Sequence, residues 1–335
     1  MGSSSDHDTA PSAAFLAAFR ARAGDAGRLR FDDFMRLALF APQVGYYTQA
    51  RTRVGYARGT DFYTASTSGA VFGEMVAAAC VNLLGDRPAG EFTFVEIGAE
   101  PGRSVLRDVQ HPFAATREIR LGDAHALSGR CVVFSNELFD AQPVRRCRRD
   151  GGQWCESFVA EGAAGLAETF VPIAADDPLL AMLPREAPDG YVIDAPLAAA
   201  ELLRELVAPN WEGVFVAFDY GKAWEELATA TPAGTARAYF RHTQSNDLLA
   251  RPGQQDLTAH VCWDWLEAEL VCAGFAGTQV ERQETFFVRR SAAWIERALT
   301  ADAARFSQTK LSIAQLLHPA HLGQKFQVLH GRRLR

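Results

Sequence analysis

The sequence predicts an α/β fold built on a mostly parallel sheet covered on both faces, and three features predict it. Short apolar runs at residues 92–97, 131–135 and 213–220 have the length and composition of buried strands. Segments of helical periodicity at 72–84, 195–207 and 263–273 alternate with them, as crossover connections require. The first run also ends in an acid, Glu96, and turns through Gly98 and Gly102. Hydrophobic residues make up 48% of the 335, enough for a substantial core.

The elements follow in order. Residues 12–40 read as two helices: Phe15, Leu16 and Phe19 recur at helical spacing, and Phe31, Phe34, Leu37 and Leu39 resume it after a glycine-containing break. Pro42 and Gly45 end that pattern. Residues 45–69 form a long loop rich in Gly, Thr, Ser and Tyr, a length over-represented among functional loops. The helix at 72–84 has an Ala-rich face, and the strand at 92–97 runs through Gly98 and Gly102 into a helix reaching Leu106. Three alternating segments, 143–149, 153–159 and 166–172, are separated by glycine-containing turns of hairpin length and predict an antiparallel insert. A short strand at 191–194 leads into the helix at 195–207. Gly274 caps the helix at 263–273. Helices at 292–304 and 310–317 and a strand at 326–330 complete the chain. The domain organisation is a disordered or vector-derived stretch at 1–11 followed by one domain from 12 to 335. Within it, 12–90 is a helical and loop region and 143–190 is a β-rich insert.

Charge narrows the function classes. The net charge of -6 argues against a broad nucleic-acid surface, which needs a concentrated positive field. The basic clusters at Arg145, Arg146, Arg148, Arg149 and at Arg332, Arg333, Arg335 read as a solvated strand edge and a charged tail. No apolar stretch approaches the roughly 20 residues that span a bilayer, and the polar start carries no apolar signal core. A cytoplasmic protein is the expectation. Six cysteines without a C-x-x-C pair, and histidines without ligand spacing, predict no metal site.

The turn Val95-Glu-Ile-Gly-Ala-Glu-Pro-Gly102 is the sharpest local signal. Gly98 can take backbone angles closed to other residues and lets a ligand approach the main chain. A following helix N-terminus would offer free N–H donors to an anion. The same turn also serves as a plain strand-to-helix connection, so by itself it leaves both readings open.

Motifs spread along the chain resemble the MidA family of S-adenosylmethionine-dependent methyltransferases. They are Phe34-Met-Arg-Leu-Ala-Leu-Phe-Ala-Pro-Gln-Val-Gly-Tyr-Tyr47, Gly59-Thr-Asp-Phe-Tyr-Thr-Ala65 with Phe72-Gly-Glu74, Ser135-Asn-Glu-Leu-Phe-Asp-Ala-Gln-Pro143, Asp219-Tyr-Gly221, Pro252-Gly-Gln-Gln-Asp-Leu-Thr-Ala-His-Val261 and Leu322-Gly-Gln-Lys-Phe-Gln-Val-Leu329. The resemblance implies a Rossmann-like class I methyltransferase sheet with N-terminal helices and an antiparallel β insert. It implies S-adenosylmethionine as cofactor, a protein substrate or assembly partner, and, from the mitochondrial members, methylation of arginine.

Carried over by position, Glu96, Gly98 and Gly102 border the cofactor, with Asp61, Phe72 and Gly73 on the loop side and Asp123 on the adenine side. Asn136 and Glu137 would lie where methyl donor and acceptor meet, a place that also follows from the rule that open α/β sheets bind ligands at the carboxyl ends of their strands. A guanidinium acceptor needs carboxylates, and Glu137, Asp140, Glu74 and Asp61 supply an acidic set. Asn136 and Asp140 can alternatively cap a helix, and His260 reads either as a base or as a helix-entry residue. Glu100 stands where the family has a second glycine. Only Arg103 to Arg120 separates the turn from Leu121-Gly-Asp-Ala124, where the family has room for a strand ending in a ribose-binding acid; Glu118, inside Arg117-Glu-Ile-Arg120, is the nearest candidate for that acid. These departures carry the alternative function, a non-catalytic binding or assembly factor on a methyltransferase fold.

Overall fold

The computed structural model describes residues 11–50, 69–301, 307–319 and 323–334. The chain divides into two compact units: Met1–Phe62, Asp140–Ala199 and Lys222–Cys262 form the first, and Tyr63–Phe139, Ala200–Gly221 and Trp263–Arg335 the second.

The first unit holds the two N-terminal helices, Ala13–Ala23 and Phe31–Phe40, with the glycine-containing break between them as expected. The antiparallel meander is also present, as Arg145–Asp150, Gln153–Gly162 and Gly165–Pro172. Its sheet is wider than the insert alone. Arg28–Arg30 pairs with the central strand, and Val192–Ala195 pairs with Arg145–Asp150. The basic run is not a solvated edge here. Arg145 is held by Glu156 and Asp177, and Arg146 by Glu168 and Asp194. Asp194 also accepts the Thr235 and Ala236 N–H groups, at 2.7 and 2.8 Å. A second small sheet, Arg237–Phe240 with Thr243–Ser245 and Asp256–Thr258, has strands too short to announce themselves by alternation.

The second unit carries the parallel sheet. Helix α1 (Ala70–Leu84) precedes strands β1 (Thr93–Ile97), β2 (Ala115–Ile119), β3 (Gly129–Asn136) and β4 (Trp211–Asp219). Helix α2 (Trp263–Cys272), strand β5 (Ala276–Arg282), helices α3 (Gln283–Arg290), α4 (Ala292–Ala301) and α5 (Gln308–Leu317), and strand β6 (Gln327–Arg333) follow. The strand order is β5-β6-β4-β3-β1-β2. β1, β2, β3 and β4 run parallel, whereas β6 is antiparallel to both β4 and β5. From β1 the chain moves outward to β2 and then returns to the other side of β1 as β3. That reversal is a topological switch point, and it opens a crevice at the carboxyl ends of β1 and β3.

Alternation along β3 and β4 puts Val132, Phe134, Val214, Val216 and Phe218 on one face, under α1. Phe72 is fully buried there, edge-on to Phe218 at 5.5 Å and to Phe287 at 6.0 Å. Arg333, near the end of β6, donates to the carbonyls of Val207, Pro209, Trp211 and Ala273 and stacks on Trp211 and Phe275. Far from a free charged tail, it satisfies carbonyls that helix ends leave open.

Two expectations fail in this unit. No helix forms between Gly102 and Leu106. The segment makes i→i+3 turns instead, with Arg107 N donating to Ser104 O and Val109 N to Leu106 O. Pro112 leaves too few residues for a helix to repay its nucleation cost. Conversely, a strand is present after the turn. β2 is an edge strand whose Ala115, Thr116 and Arg117 face solvent, so it lacks the buried apolar run that marks its neighbours.

Gly73 is where α1 meets the 104–109 turn. A Cβ on Gly73 would lie 2.1 Å from the Val105 carbonyl oxygen and 2.8 Å from a Val109 methyl. A main-chain atom cannot step aside as a side chain can. Gly73→Ala is therefore expected to lose about 1–3 kcal/mol or more through overpacking, read as a lower midpoint of thermal unfolding. An unchanged midpoint would mean that α1 and the turn are not packed this closely.

Candidate functional site

The site begins with the last residues of β1. Gly98 adopts φ 78, donates its N–H to Ile119 O at 2.8 Å, and so prolongs the β1–β2 ladder by one bond. A Cβ there would approach Leu138 Cδ1 to 2.9 Å, which shows how closely the glycine turn lies against the turn leaving β3.

Glu96 sits on the rung below, paired in register with Phe134 of β3 and Glu118 of β2. It is 7% exposed. Its Oε2 accepts the Ser104 hydroxyl at 2.8 Å and the Val105 N–H at 2.7 Å. Burial pushes its carboxyl up to about 7; the Val105 and Ser104 hydrogen bonds oppose the rise, and the Glu118 charge adds to it. The carboxylate thus grips the turn at the point where a helix N-terminus was expected. Gly102 takes φ 73, its carbonyl accepts from the Arg107 guanidinium, and the half-buried Glu100 receives the Arg103 N–H on its main-chain oxygen.

The second component is the end of β3. Asn136 is its last residue, and Glu137 follows with φ 53, a left-handed conformation uncommon for a residue with a side chain. The Glu137 N–H donates to Phe218 O at 2.9 Å, and the Asn136 Nδ2 donates to Glu137 Oε1 at 2.9 Å. With the amide so turned, the buried Asn136 Oδ1 has no hydrogen-bond partner among the described residues; nor does the Ser135 hydroxyl. Strained backbone and unmatched polar atoms at the end of a central strand are characteristic of ligand sites. They fit a cofactor that brings hydrogen-bond donors. Asp219 braces this turn from β4: its Oδ2 accepts the Phe139 N–H and its Oδ1 the Tyr220 N–H, both at 2.9 Å.

The remaining expected residues lie elsewhere or have other duties. No helix follows Glu137, so helix capping by Asn136 and Asp140 is excluded. Asp140 belongs to the first unit, where its carbonyl accepts the Ala259 N–H. There the buried Tyr47 hydroxyl donates to Asp256 Oδ1 at 3.0 Å, and burial, with the Asp256, Tyr46 and Asp140 charges, holds the phenol well above its usual range. Asp123 is exposed. Its Oδ2 accepts the Arg120 N–H and closes the turn after β2. Phe72 is a core residue and Gly73 a packing residue, which accounts for both without a ligand. Glu74 is half-buried on α1. Asp61 and residues 51–68 of the expected loop lie outside the described residues. His260 is pushed down to about 4, by burial first and then by the Lys222 and Arg237 charges, and stays neutral at physiological pH. Among the positions not singled out from sequence, Ser104 and Ser135 had no signal beyond their neighbourhood. The strand position of Glu118 was hidden in a polar edge strand.

Comparison with known proteins agrees with this architecture. A family described as S-adenosyl-L-methionine-dependent methyltransferases matches residues 103–277, just over half of the chain. The mouse mitochondrial protein arginine methyltransferase NDUFAF7 is 24% identical over 219 residues, 61% of this chain and 48% of that protein. The chain thus spans about half the length of that relative. A COG1565 superfamily member from Burkholderia thailandensis bound to S-adenosylhomocysteine has the same fold, with a TM-score of 0.82 and 24% identity over 99% of this chain and 94% of its own. A native structure of a protein of that superfamily from the same organism gives 0.78 and 23% over the same shares.

Glu96 makes stability pH-dependent in a calculable direction. Its folded pKa lies above the unfolded value of 4.5, so the stabilisation is present below that value and is lost as pH rises through 7. Over that window the wild type should lose about 3 kcal/mol relative to Glu96→Gln, measured by urea unfolding at pH 4.5 and pH 8. Parallel pH curves for the two proteins would contradict this.

Proposed function

Since the chain belongs to the S-adenosylmethionine-dependent methyltransferase family, we propose that it methylates a nitrogen of a protein side chain, arginine first. The observation carrying this reading is the end of β3: a left-handed Glu137 whose carboxylate is held by Asn136 Nδ2, beside an Asn136 oxygen without a partner among the described residues. The arginine methyltransferase relative supports the choice of acceptor.

The residues that would hold the cofactor are Gly98 and Gly102 on the turn and Asn136 on the strand end. The bound cofactor supplies a methyl group already activated by its sulfonium, so the protein needs alignment more than acid–base power. The Gly98 main chain and the Asn136 Oδ1 orient the donor. The Glu137 carboxylate would bind the N–H groups of a cationic side chain, hold the accepting nitrogen towards the methyl group, and take up the proton that this nitrogen loses as the N–C bond forms and the S–C bond breaks. Asn136 fixes the Glu137 rotamer, and Asp219 fixes the turn that carries it.

Glu137→Gln is nearly isosteric and should fold normally. Losing one charged hydrogen bond to a guanidinium costs roughly 1.5–3 kcal/mol, so transfer of labelled methyl groups to host-cell proteins should fall at least tenfold. Equal labelling by wild type and variant would remove Glu137 from the reaction.

A second reading, a binding or assembly factor without catalysis, is favoured by one observation. Glu118, the carboxylate near the carboxyl end of β2, is engaged by Arg120. Gly98→Val separates the two readings. A branched side chain at φ 78 is strained, and calorimetry should show cofactor binding lost in a folded variant. No binding by the wild type would establish the second reading.

A further inference from the structure

A second cluster of unmatched polar groups lies away from the crevice, where α3 packs on β6. His330 is 1% exposed. Its Nε2 donates to Glu281 Oε2 at 3.1 Å, and Glu281 Oε1 accepts from Arg289 Nη1 at 2.6 Å. The charge of Glu281 is thereby matched by Arg289. The other ring nitrogen, His330 Nδ1, is buried and has no hydrogen-bond partner among the described residues. Phe286 packs against the ring at 5.5 Å, and Arg290 stands one helical turn beyond Phe286 on the same face of α3. Arg290 Nη1 makes a long contact, 3.4 Å, to Asn82 Oδ1 of α1, and its Nε is buried without a partner among the described residues. Arg332 follows His330 on the same face of β6, about 7 Å along the strand. It is exposed, and its guanidinium has no partner among the described residues. β4 brings no charge to the cluster: Val216 and Val214 stand opposite His330 and Arg332.

Two guanidinium groups and a buried imidazole thus meet with no anion to match them. Buried polar groups are ordinarily hydrogen-bonded and buried charges paired, because desolvation without a partner is costly. We propose that Arg290, Arg332 and His330 form a binding site for a small tetrahedral oxyanion, either free phosphate or the phosphate group of a monoester. Such an ion accepts from Arg290 Nε and from the Arg332 guanidinium, a donor set suited to phosphate. The exposed Arg332 marks the entrance. His330 completes the set once protonated, since the ring then donates from both nitrogens, Nε2 to Glu281 and Nδ1 to the anion. Without the anion, burial holds the imidazole below its usual range; Glu281 opposes the fall, and the Arg290 and Arg332 charges add to it. Binding therefore takes up a proton, and affinity falls as pH rises. The bound ion would tie α3 to β6. Arg332 pairs with Val214, near the start of β4, whereas the crevice lies at the carboxyl ends of the parallel strands. The site does not rest on the proposed activity.

The test is isothermal titration calorimetry with sodium sulfate, an ion whose charge does not change between about pH 6 and pH 8, in chloride of matched ionic strength. The wild type should bind sulfate saturably and about threefold more tightly at pH 6 than at pH 8. Arg332→Ala, at an exposed position, should fold normally and weaken binding about tenfold. Arg290→Gln should do the same. His330→Gln should retain weaker binding with no pH dependence. Inorganic phosphate and glycerol 3-phosphate then compete with sulfate: displacement by phosphate alone supports the free ion as occupant, and displacement by glycerol 3-phosphate supports a monoester. The site is overturned by no saturable binding to the wild type, by equal binding to wild type and Arg332→Ala, by a pH dependence unchanged in His330→Gln, or by displacement with neither competitor. If Arg290→Gln or His330→Gln does not fold, Arg332→Ala and proton uptake by the wild type, read in two buffers of different ionisation enthalpy, decide.

Discussion

The two hydrogen bonds from Ser104 and Val105 to the Glu96 carboxylate hold together a region that has no regular structure of its own. Between Gly98 and β2 the chain makes only isolated turns. An isolated turn is a weak unit, because few hydrogen bonds repay the dihedral angles it fixes. The carboxylate supplies the missing closure from below, and α1 supplies it from the side, at Gly73. The glycine turn is therefore shaped by tertiary contacts, and its geometry depends on a group that titrates in the physiological range.

The other half of the site is held differently. At the end of β3 the backbone is fixed by main-chain and carboxylate bonds, Glu137 N to Phe218 O and Phe139 N to Asp219 Oδ2. In the proposed function the Glu137 side chain and the Asn136 oxygen carry the chemistry. A left-handed residue costs on the order of 1 kcal/mol or more, and a rigid β4 neighbour is what lets the fold sustain it. One half of the crevice is thus fixed by the Glu96 carboxylate and the other by the buried Asp219 carboxylate.

The buried parts of the fold were legible in the sequence and the edges were not. β1, β3 and β4 have apolar runs because both their faces are covered, and α1 and α2 show helical periodicity. β2 and β5, the two edges of the parallel unit's sheet, carry Thr116, Arg117, Gln279 and Glu281 and resemble loop. The expected helix after Gly102 failed because Pro112 follows too soon for a helix to repay its nucleation cost. At the site, motif resemblance located Glu96, Gly98, Asn136 and Glu137 at the switch point. It could not distinguish ligand contacts from packing at Phe72 and Gly73, since a residue fixed by core geometry and one fixed by a ligand leave the same trace in a single sequence. Asp123 is ambiguous for a related reason: a strand–Gly–Asp pattern serves turn closure, as it does here, as readily as adenine recognition.

The place of β6 has a consequence for how the chain reaches this state. It is the last strand of the sheet in chain order, yet it lies between β4 and β5 and completes both. During synthesis, β4 must wait more than a hundred residues for its antiparallel neighbour, with an open row of main-chain donors and acceptors. Contacts so distant in sequence are slow to form, since a long loop must close before they repay the entropy. An intermediate with β1, β2, β3 and β4 assembled would expose the β4 edge and the Phe218 face together. It is the species that a chaperone would bind, and the species most prone to pair with a copy of itself.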